Sequence, residues 1–324
     1  MVTHAGNVRA QVAFLLDNLR SVPESVWGSF SPEDRRAALE VYIRDIEGLM
    51  TGELSLAKVR DDSDVIVHAE GPALSAGNWS FRAFNSVVDS LNGVLRGVVA
   101  DNLVKVSSNT LTSKAIRQQV DIQVTGFAPG SLFVGAKVVL PEKSGLLGYE
   151  GVEQVVRSAV NSLPQAGAMV TSEKISDEIS DVLEDPAVRD SAIVAALKLS
   201  PTGRMGVDEI SVSGAGGDGL FRAVLTPEKK EVLRKAVKAG AIGKISGHEK
   251  IKGIVREVNL DTSRFSLRSE DGFLVRCFLK SLDHVTATLM LDKEVVVEGT
   301  AQKDKEGRVR LISLTEYPII TATV

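Results

Sequence analysis

Cysteine is nearly absent from this 324-residue chain, and long apolar runs are missing altogether. The single cysteine, Cys277, excludes an internal disulfide framework and a cysteine-rich zinc or iron–sulfur site. Because no stretch of about 20 apolar residues occurs, we expect no membrane-spanning helix and no membrane partner. The apolar run before Asp17 is too short for a secretory signal. An unpaired thiol without an export signal predicts a cytoplasmic protein.

A strong positive charge is also lacking, since the net charge of the chain is −4. Residues 241–324 contain 13 Lys and Arg against 12 Asp and Glu, which leaves the first 240 residues at −5. Proteins dedicated to nucleic acid usually carry a clearly basic domain, because phosphate neutralisation dominates their affinity. The overall charge therefore gives no support to a nucleic-acid partner, and only a local basic face would allow one.

Catalytic and metal-binding motifs are scarce as well. No two histidines stand four residues apart, as they would on a metal-binding helix: they are His4, His68, His248 and His284. A G-x-S-x-G nucleophile elbow and a P-loop are both absent. Cys277 alternates with Arg276 and Phe278 in a predicted strand, where it would face a core. We therefore predict no metal and no cofactor, assign no catalytic residue, and favour a protein that is not an enzyme.

One glycine-rich segment matches the G-x-G-x-x-G pattern of dinucleotide sites, through Gly214, Gly216 and Gly219. Such a site needs a following helix whose N-terminus approaches the pyrophosphate. Only seven residues lie between Gly219 and Pro227, and their pattern is typical of a strand. We therefore interpret the segment as the loop of a hairpin.

Two acidic groups are the remaining candidates for metal or partner binding. The acids within residues 61–64 could hold a magnesium ion through paired carboxylates, but they are also typical of a turn before a strand. Asp177, Asp181 and Asp185 follow one another at four-residue steps, which indicates a solvated helix face or a docking site for a basic partner. We favour the turn and the solvated face, and we assign no site to either group.

Periodicity predicts an α+β fold that begins with a helix-rich domain over residues 1–240. Apolar residues recur at helical steps over 8–19, 31–50 and 79–103, and further helices are predicted at 152–163, 173–184, 186–199 and 227–240. A single strand is predicted at 64–70. Two hairpins are predicted, one pairing 120–125 with 132–140 and the other pairing 207–213 with 220–225.

A small β-barrel is predicted for residues 244–324, after a glycine-rich linker at 239–247. Short alternating segments recur at 250–258, 264–268, 273–279, 294–299 and 308–314, and a short helix fits 282–291. Five strands with a helix between the third and the fourth are typical of an OB-type barrel. An SH3-like barrel or a small split sheet would also fit this pattern.

The same segment resembles a known type of domain. The residues that carry the resemblance are Gly253–Val258, Phe265–Leu267, Val275–Phe278, Val295–Gly299 and Asp304–Gly307. They are similar to the small OB- or SH3-like barrels that end many uncharacterised bacterial proteins. The resemblance covers the last quarter of the chain and implies a fold, but it transfers no catalytic or binding residue.

The barrel contains one candidate for a nucleic-acid site. Strand alternation predicts that Phe265 and Leu267 point inward, while a set of basic residues points outward: Lys250, Lys252, Arg264, Arg268, Arg308 and Arg310. A basic face on an OB-type barrel is a common way to follow single-stranded nucleic acid. Acidic residues interrupt this set, so we favour a mixed-charge surface on a structural or protein-binding barrel.

The leading hypothesis is a non-enzymatic interaction protein, a subunit of a larger bacterial assembly, with the barrel as its binding module. One alternative is single-stranded nucleic-acid binding by the basic face. Another is an enzyme of unrecognised type, with its site near the hairpin tip at 127–131 or the loop at 214–219. Self-association is also predicted, because the apolar helix at 79–103 and the strand at 132–140 could bury more surface than one domain covers.

Overall fold

The computed structural model describes residues 3–75, 78–106, 113–128, 131–140, 151–214, 222–240, 247–304 and 306–321. Its helices are α1 (His4–Ser21), α2 (Glu24–Trp27), α3 (Pro32–Gly48), α4 (Leu54–Asp62), α5 (Phe81–Val106), α6 (Ser113–Gln119), α7 (Val152–Ala168), α8 (Ile179–Val182), α9 (Pro186–Leu199), α10 (Pro227–Ala239) and α11 (His284–Met290). Its strands are β1 (Val65–Glu70), β2 (Asp121–Ala128), β3 (Leu132–Val139), β4 (Glu209–Gly214), β5 (Arg222–Leu225), β6 (Gly247–Asn259), β7 (Arg264–Ser269), β8 (Leu274–Leu279), β9 (Glu294–Lys303), β10 (Val309–Leu314) and β11 (Ile319–Ile320). The predicted α+β class is confirmed.

Five antiparallel strands form the first sheet, in the order β2-β3-β1-β4-β5. Both predicted hairpins are present, as β2 with β3 and as β4 with β5, and β1 lies between them. Val67 of β1 pairs with Val134 on one side and Val212 on the other, and all three are fully buried. These side chains share the face that packs against the helices, because directly paired residues of neighbouring strands point to the same side of a sheet.

Helix α5 lies at the centre of this core. Its apolar stripe is buried at Val87, Leu91, Leu95 and Val98, and the helix packs against α7 and α9. The inner face of β3 is buried in the same cluster. The argument for self-association from these two elements is therefore wrong, because the same chain covers both of them. Self-association as such stays a prediction.

One predicted helix is largely absent. Residues 173–184 contain only the four-residue helix α8, and the chain before it turns back through an isolated bridge between Val170 and Ile175. The Thr171 hydroxyl accepts hydrogen bonds from the backbone N–H groups of Glu173 and Lys174 and thereby fixes the turn. Such local side-chain bonds compete with helix formation. The acidic row at 177, 181 and 185 therefore does not form one helix face.

The N-terminal helices form a thin layer with little core of its own. Helix α1 buries only Ala5 and Val8, and no residue of α3 is buried. The layer is fastened by Asp61, whose two carboxylate oxygens accept hydrogen bonds from the backbone N–H groups of His4 and Ala5 at 2.9 and 2.8 Å. Asp64 accepts a bond from the Val138 backbone N–H at 2.8 Å. Two acids of the 61–64 group therefore have structural partners, but the predicted turn is shorter than expected, because Asp61 and Asp62 belong to the last turn of α4.

Strands β6 to β10 close a five-stranded barrel, as predicted. Strand β6 pairs with β7 and β9, and β7 pairs with β8. Strand β10 closes the barrel, because it pairs with β8 in parallel orientation and with β9 in antiparallel orientation. Helix α11 connects the third barrel strand to the fourth, so the order is that of an OB-type barrel. Phe265 and Leu267 point into the core, as expected. The two-residue strand β11, which was not predicted, extends the sheet beside β9.

Of the linker predicted at 239–247, residues 241–246 lie outside the described residues, and the division of the chain there stays a prediction. Among the helices that the structure describes, none combines the length and the apolar character needed to cross a bilayer.

Candidate functional site

The barrel docks on the helices through buried ion pairs. Arg264 of β7 donates from Nη2 to Asp190 of α9 at 2.7 Å. Arg276 of β8 donates from Nη1 to the second oxygen of Asp190 at 2.9 Å and from Nη2 to Asp101 of α5 at 3.0 Å. The side chain of Asp190 is 1% exposed and that of Arg264 is 6% exposed. Two barrel arginines therefore find their carboxylates in the first part of the chain.

Asp101 extends this network toward helix α6. It also accepts hydrogen bonds from Arg117 at 3.0 Å, from Ser113 at 2.8 Å and from Ser191 at 2.9 Å. Burial by itself raises the pKa of both Asp101 and Asp190, but the neighbouring arginine charges outweigh it and hold both pKa values below the ordinary range. Both carboxyls are therefore ionised at neutral pH.

Two arginines of the predicted basic face are buried instead. Arg264 points out of the barrel as alternation predicted, but α9 covers that side of β7. Arg310 is 8% exposed and donates from Nε to Asp304 at 2.8 Å. The expectation of a solvent-facing position is therefore wrong for these two residues, because strand alternation does not indicate what packs against the outer face.

The other four members of the set also have acidic or carbonyl neighbours. Arg308 bonds to Asp304 and Glu306, Lys250 lies 3.9 Å from Glu298, and Lys252 lies within 3.2 Å of Glu270 and Glu294. Arg268 donates to the carbonyl of Gly272 at 3.4 Å. The six residues thus do not form one uncompensated positive surface. Whether any of them contacts nucleic acid stays a prediction.

We expect the full chain to leave single-stranded DNA and RNA unbound at about 0.1 M salt, because five of the six basic residues of the set lie beside carboxylates. The measurement is fluorescence anisotropy of labelled oligonucleotides across a salt series. A saturable rise that weakens with salt, at a slope of about −0.7 in log K per phosphate contacted, would contradict this expectation. The measurement uses the unmodified full chain. A charge-reversal variant is unsuitable, because a negative charge at Arg310 would break a buried ion pair and disturb the fold.

The packing of the barrel against the helices is a second reason to expect no binding of single-stranded nucleic acid. OB-type barrels commonly bind oligonucleotides and oligosaccharides on the face of their second and third strands. Here those strands are β7 and β8, and their residues Arg264 and Arg276 contact α5 and α9. The chain therefore covers the part of this face around Arg264 and Arg276 with its own helices.

A histidine lies near the first hairpin tip, where the enzyme alternative places its site, but it does not form a catalytic Ser-His-acid relay. His68 of β1 contacts the Ser131 hydroxyl through Nε2, and the same Nε2 lies 3.2 Å from Glu70. A Ser-His-acid triad needs the acid on the other ring nitrogen, where it orients the imidazole. The His68 ring stacks on Phe133 with 3.9 Å between ring centres, and burial lowers its pKa. The arrangement is that of a neutral, packed histidine on the sheet.

Cys277 and the candidate metal ligands can be assessed where the structure describes them. Cys277 is fully buried, and burial raises the pKa of its thiol, so it is an inert core residue. Within the described parts of the chain, no group of three or more His, Cys, Asp or Glu could hold a metal ion. Of the glycine-rich loop, 215–221 lie outside the described residues.

The barrel carries an exposed apolar band on the side of α11. Ala287 and Met290 of this helix are buried, so Val285 and Leu289 project from its opposite face and are 67% and 59% exposed. With neighbouring exposed side chains they form what we name the apolar band: Val285, Leu289, Leu291, Tyr317, Ile319 and Ile320.

Contacts at both ends of α11 hold the C-terminal segment beside it. The Tyr317 hydroxyl donates to the carbonyl of Ser281 at 2.8 Å, next to the N-cap of the helix. Thr321 donates from its backbone N–H to the Glu294 carbonyl at 3.0 Å, beyond the C-terminal end of the helix. These two contacts hold the segment from Tyr317 to Thr321 near the two ends of α11. The residues of the apolar band therefore lie close together on this side of the barrel, with the side chains of Ile319 and Ile320 on opposite faces of β11.

The sequence did not predict the seam, which is the contact of Asp101 and Asp190 with the barrel arginines, or the apolar band. Asp190 does carry a signal, because ten of the 14 residues of its helix are apolar, and an ionisable residue is buried in such surroundings only with a partner. The band could not be found in this way, because Val285 and Leu289 look like ordinary core residues of a short helix.

Comparison with known protein families, curated proteins and solved structures finds no match for this chain. The fold and the surface define its class instead. It is an α+β protein whose OB-type barrel packs one face against helices of the same chain and exposes an apolar band elsewhere on its surface.

Proposed function

We propose that this chain is a non-enzymatic interaction protein, a cytoplasmic subunit of a larger bacterial assembly, and that the apolar band of the barrel is its docking surface. The observation that carries the proposal is the band itself. Isolated exposed apolar side chains are normal, but a group of them on one surface is typical of a protein interface. The occupant is a protein segment whose centre is apolar.

The construction of the band supports a binding role. Tyr317 presents its ring while its hydroxyl is held by Ser281, so an aromatic side chain is fixed in place before a partner arrives. Rigid aromatic anchors of this kind dominate the energetics of many interfaces. Strand β11, whose two residues belong to the band and are 65% and 42% exposed, is also an edge strand of its sheet. Edge strands readily accept an additional strand from a partner.

We expect the double substitution Val285→Glu with Leu289→Glu to reduce retention of the partner at least tenfold, because each change places a charge in an apolar contact. The measurement is affinity purification of the tagged full chain from its own host, with quantitative mass spectrometry. Both side chains are exposed, so the free energy of unfolding should change by no more than about 0.5 kcal/mol. Circular dichroism checks this.

The matched control is Leu260→Glu, which alters a 40% exposed apolar residue of the same barrel outside the band. Under the proposal, this variant retains the same partner as the wild type. Equal retention by the wild type, the control and the double variant would refute the apolar band as the docking surface.

A further inference from the structure

We propose that two copies of this chain associate through one side of their N-terminal helices α1 and α3 and thereby form a four-helix bundle. Helix α3 continues into α4 through a π-helical turn (Leu49–Glu53), with helical backbone angles at both junctions. Helix α1 packs beside this long helix and runs in the opposite direction, because its first residues are bonded to Asp61 near the end of α4 and it also contacts the π-helical turn and α3. We name α1 and α3 together the helical hairpin. It shares no residue with the apolar band, and the inference is independent of the proposed function.

The helical hairpin buries little of its apolar surface. Of residues 3–53, all of which the structure describes, only Ala5 and Val8 are buried. A stripe of apolar residues at three- and four-residue steps follows both helices into the π-helical turn, and its members are half-buried: Leu15, Leu19, Leu39, Tyr42, Ile46 and Leu49. Most of the stability of a helix in a protein comes from the packing of its apolar face. The stripe therefore lacks a layer that covers it.

Three exposed apolar side chains lie on one side of this stripe. Each directly follows a member of the stripe in sequence, and they are Leu16, Ile43 and Met50. One residue further along a helix is a rotation of about 100°. Because the two helices run in opposite directions, this rotation leads to the same side of the helical hairpin in both. The three side chains are 37%, 52% and 46% exposed, and they define what we name the hairpin face.

A second copy of the chain is the occupant whose size matches the hairpin face. Helices α1 and α3 contain 18 and 17 residues. Each is therefore about 26 Å long, and a face two helices wide covers about 500 Å². Two such faces together bury about 1,000 Å², the area that a specific interface needs. Two-fold dimers, in which the same patch of both copies meets, are the commonest oligomers, and two helical hairpins packed face to face make a four-helix bundle.

The charges of the two helices favour one arrangement of this bundle. Helix α1 contains two arginines and one aspartate, whereas α3 contains three arginines against five aspartates and glutamates. A two-fold axis along the helices places α1 of each copy beside α3 of the other, so helices of opposite net charge meet at both new contacts. Complementary charge of this kind fixes the register of an interface and disfavours other partners.

The test is sedimentation equilibrium of the full chain. We expect a dimer, with the mass of two chains of 34.6 kDa each, and a Kd of about 1 μM or tighter. Ile43→Glu should raise this Kd at least tenfold, because it places a charge in an apolar contact. It should also accelerate amide hydrogen exchange in α3, which then lacks its covering layer.

The matched control is Val41→Glu, which introduces the same charge on the same helix at a 47% exposed residue. Val41 precedes Tyr42 and therefore lies on the other side of the stripe, so this variant should dimerise and exchange like the wild type. Circular dichroism verifies that both variants are folded. A wild-type chain that stays monomeric well above the expected Kd would overturn the proposal. Equal Kd values in the wild type and Ile43→Glu would overturn it as well, because the two copies would then meet at another surface.

Discussion

Replacement of Asp190 by alanine is expected to lower the free energy of unfolding by about 3–5 kcal/mol, the usual cost of removing one partner from a buried ion pair. Asp190 is 1% exposed and bonds to both Arg264 and Arg276. In the variant, Arg264 loses its only close carboxylate among the described residues, whereas Arg276 keeps Asp101. Urea denaturation followed by circular dichroism measures the change.

The pH dependence of the difference in unfolding free energy between the wild type and Asp190→Ala shows whether the ionised carboxylate of Asp190 causes that difference. Because the pKa of Asp190 is lower in the folded chain than in the unfolded one, its contribution is complete above the unfolded pKa of about 3.9 and is lost as the pH falls through the folded value. The gap between wild type and Asp190→Ala should therefore be constant near neutral pH and shrink below about pH 4. Asp177→Ala, at a fully exposed acid, is the control and should change stability by less than about 0.5 kcal/mol. A similar loss in both variants would argue against the seam as a stabilising contact.

Substitution of Gly299 by alanine is expected to destabilise the barrel by about 3 kcal/mol, the upper end of the usual cost of overpacking. A Cβ atom there would lie 2.1 Å from the carbonyl oxygen of Ser313 and 2.9 Å from Cα of Leu314. Both are backbone atoms of β10, so no side-chain rotation relieves the clash. The residue lies where β9 pairs with β6 and with β10 at once, and the substitution therefore strains the closure of the barrel.

Thermal unfolding of Gly299→Ala and Gly48→Ala, compared with the wild type, measures this effect. Gly48 has helical backbone angles and open space around its Cβ position, so alanine there should leave stability unchanged or raise it by up to about 1 kcal/mol. If Gly299→Ala unfolds at the wild-type temperature, the close approach of β9 and β10 is not as tight as described.

The barrel was predictable because its information is local. Each strand carries its own period-two pattern, and turn residues such as Gly272 and Gly307, both with positive φ, separate neighbouring strands. The five strand segments and the helix between the third and fourth were therefore found within a few residues of their observed bounds. Strand β11 escaped notice, because two residues carry no periodicity.

Longer-range arrangement was not predictable in the same way. Strand β1 inserts between two hairpins, with Val67 paired to Val134 and to Val212, and no local pattern encodes such distant partners. The two arginines Arg264 and Arg310 show the same limit for the candidate site. Alternation places Arg264 outside the barrel correctly, but the partner Asp190 lies 74 residues away in sequence. The alternation pattern of one strand therefore predicts which charged side chains point outward, but it does not predict whether a helix covers them.

Site-specific photo-crosslinking from the apolar band tests the proposed function most directly. The full chain would carry a photoreactive phenylalanine derivative at position 289 in one sample and at position 260 in the other, and both would be irradiated in living cells of the native host. We expect a discrete crosslinked protein from position 289 and none from position 260. No crosslinked species from position 289, or the same species from both positions, would contradict it.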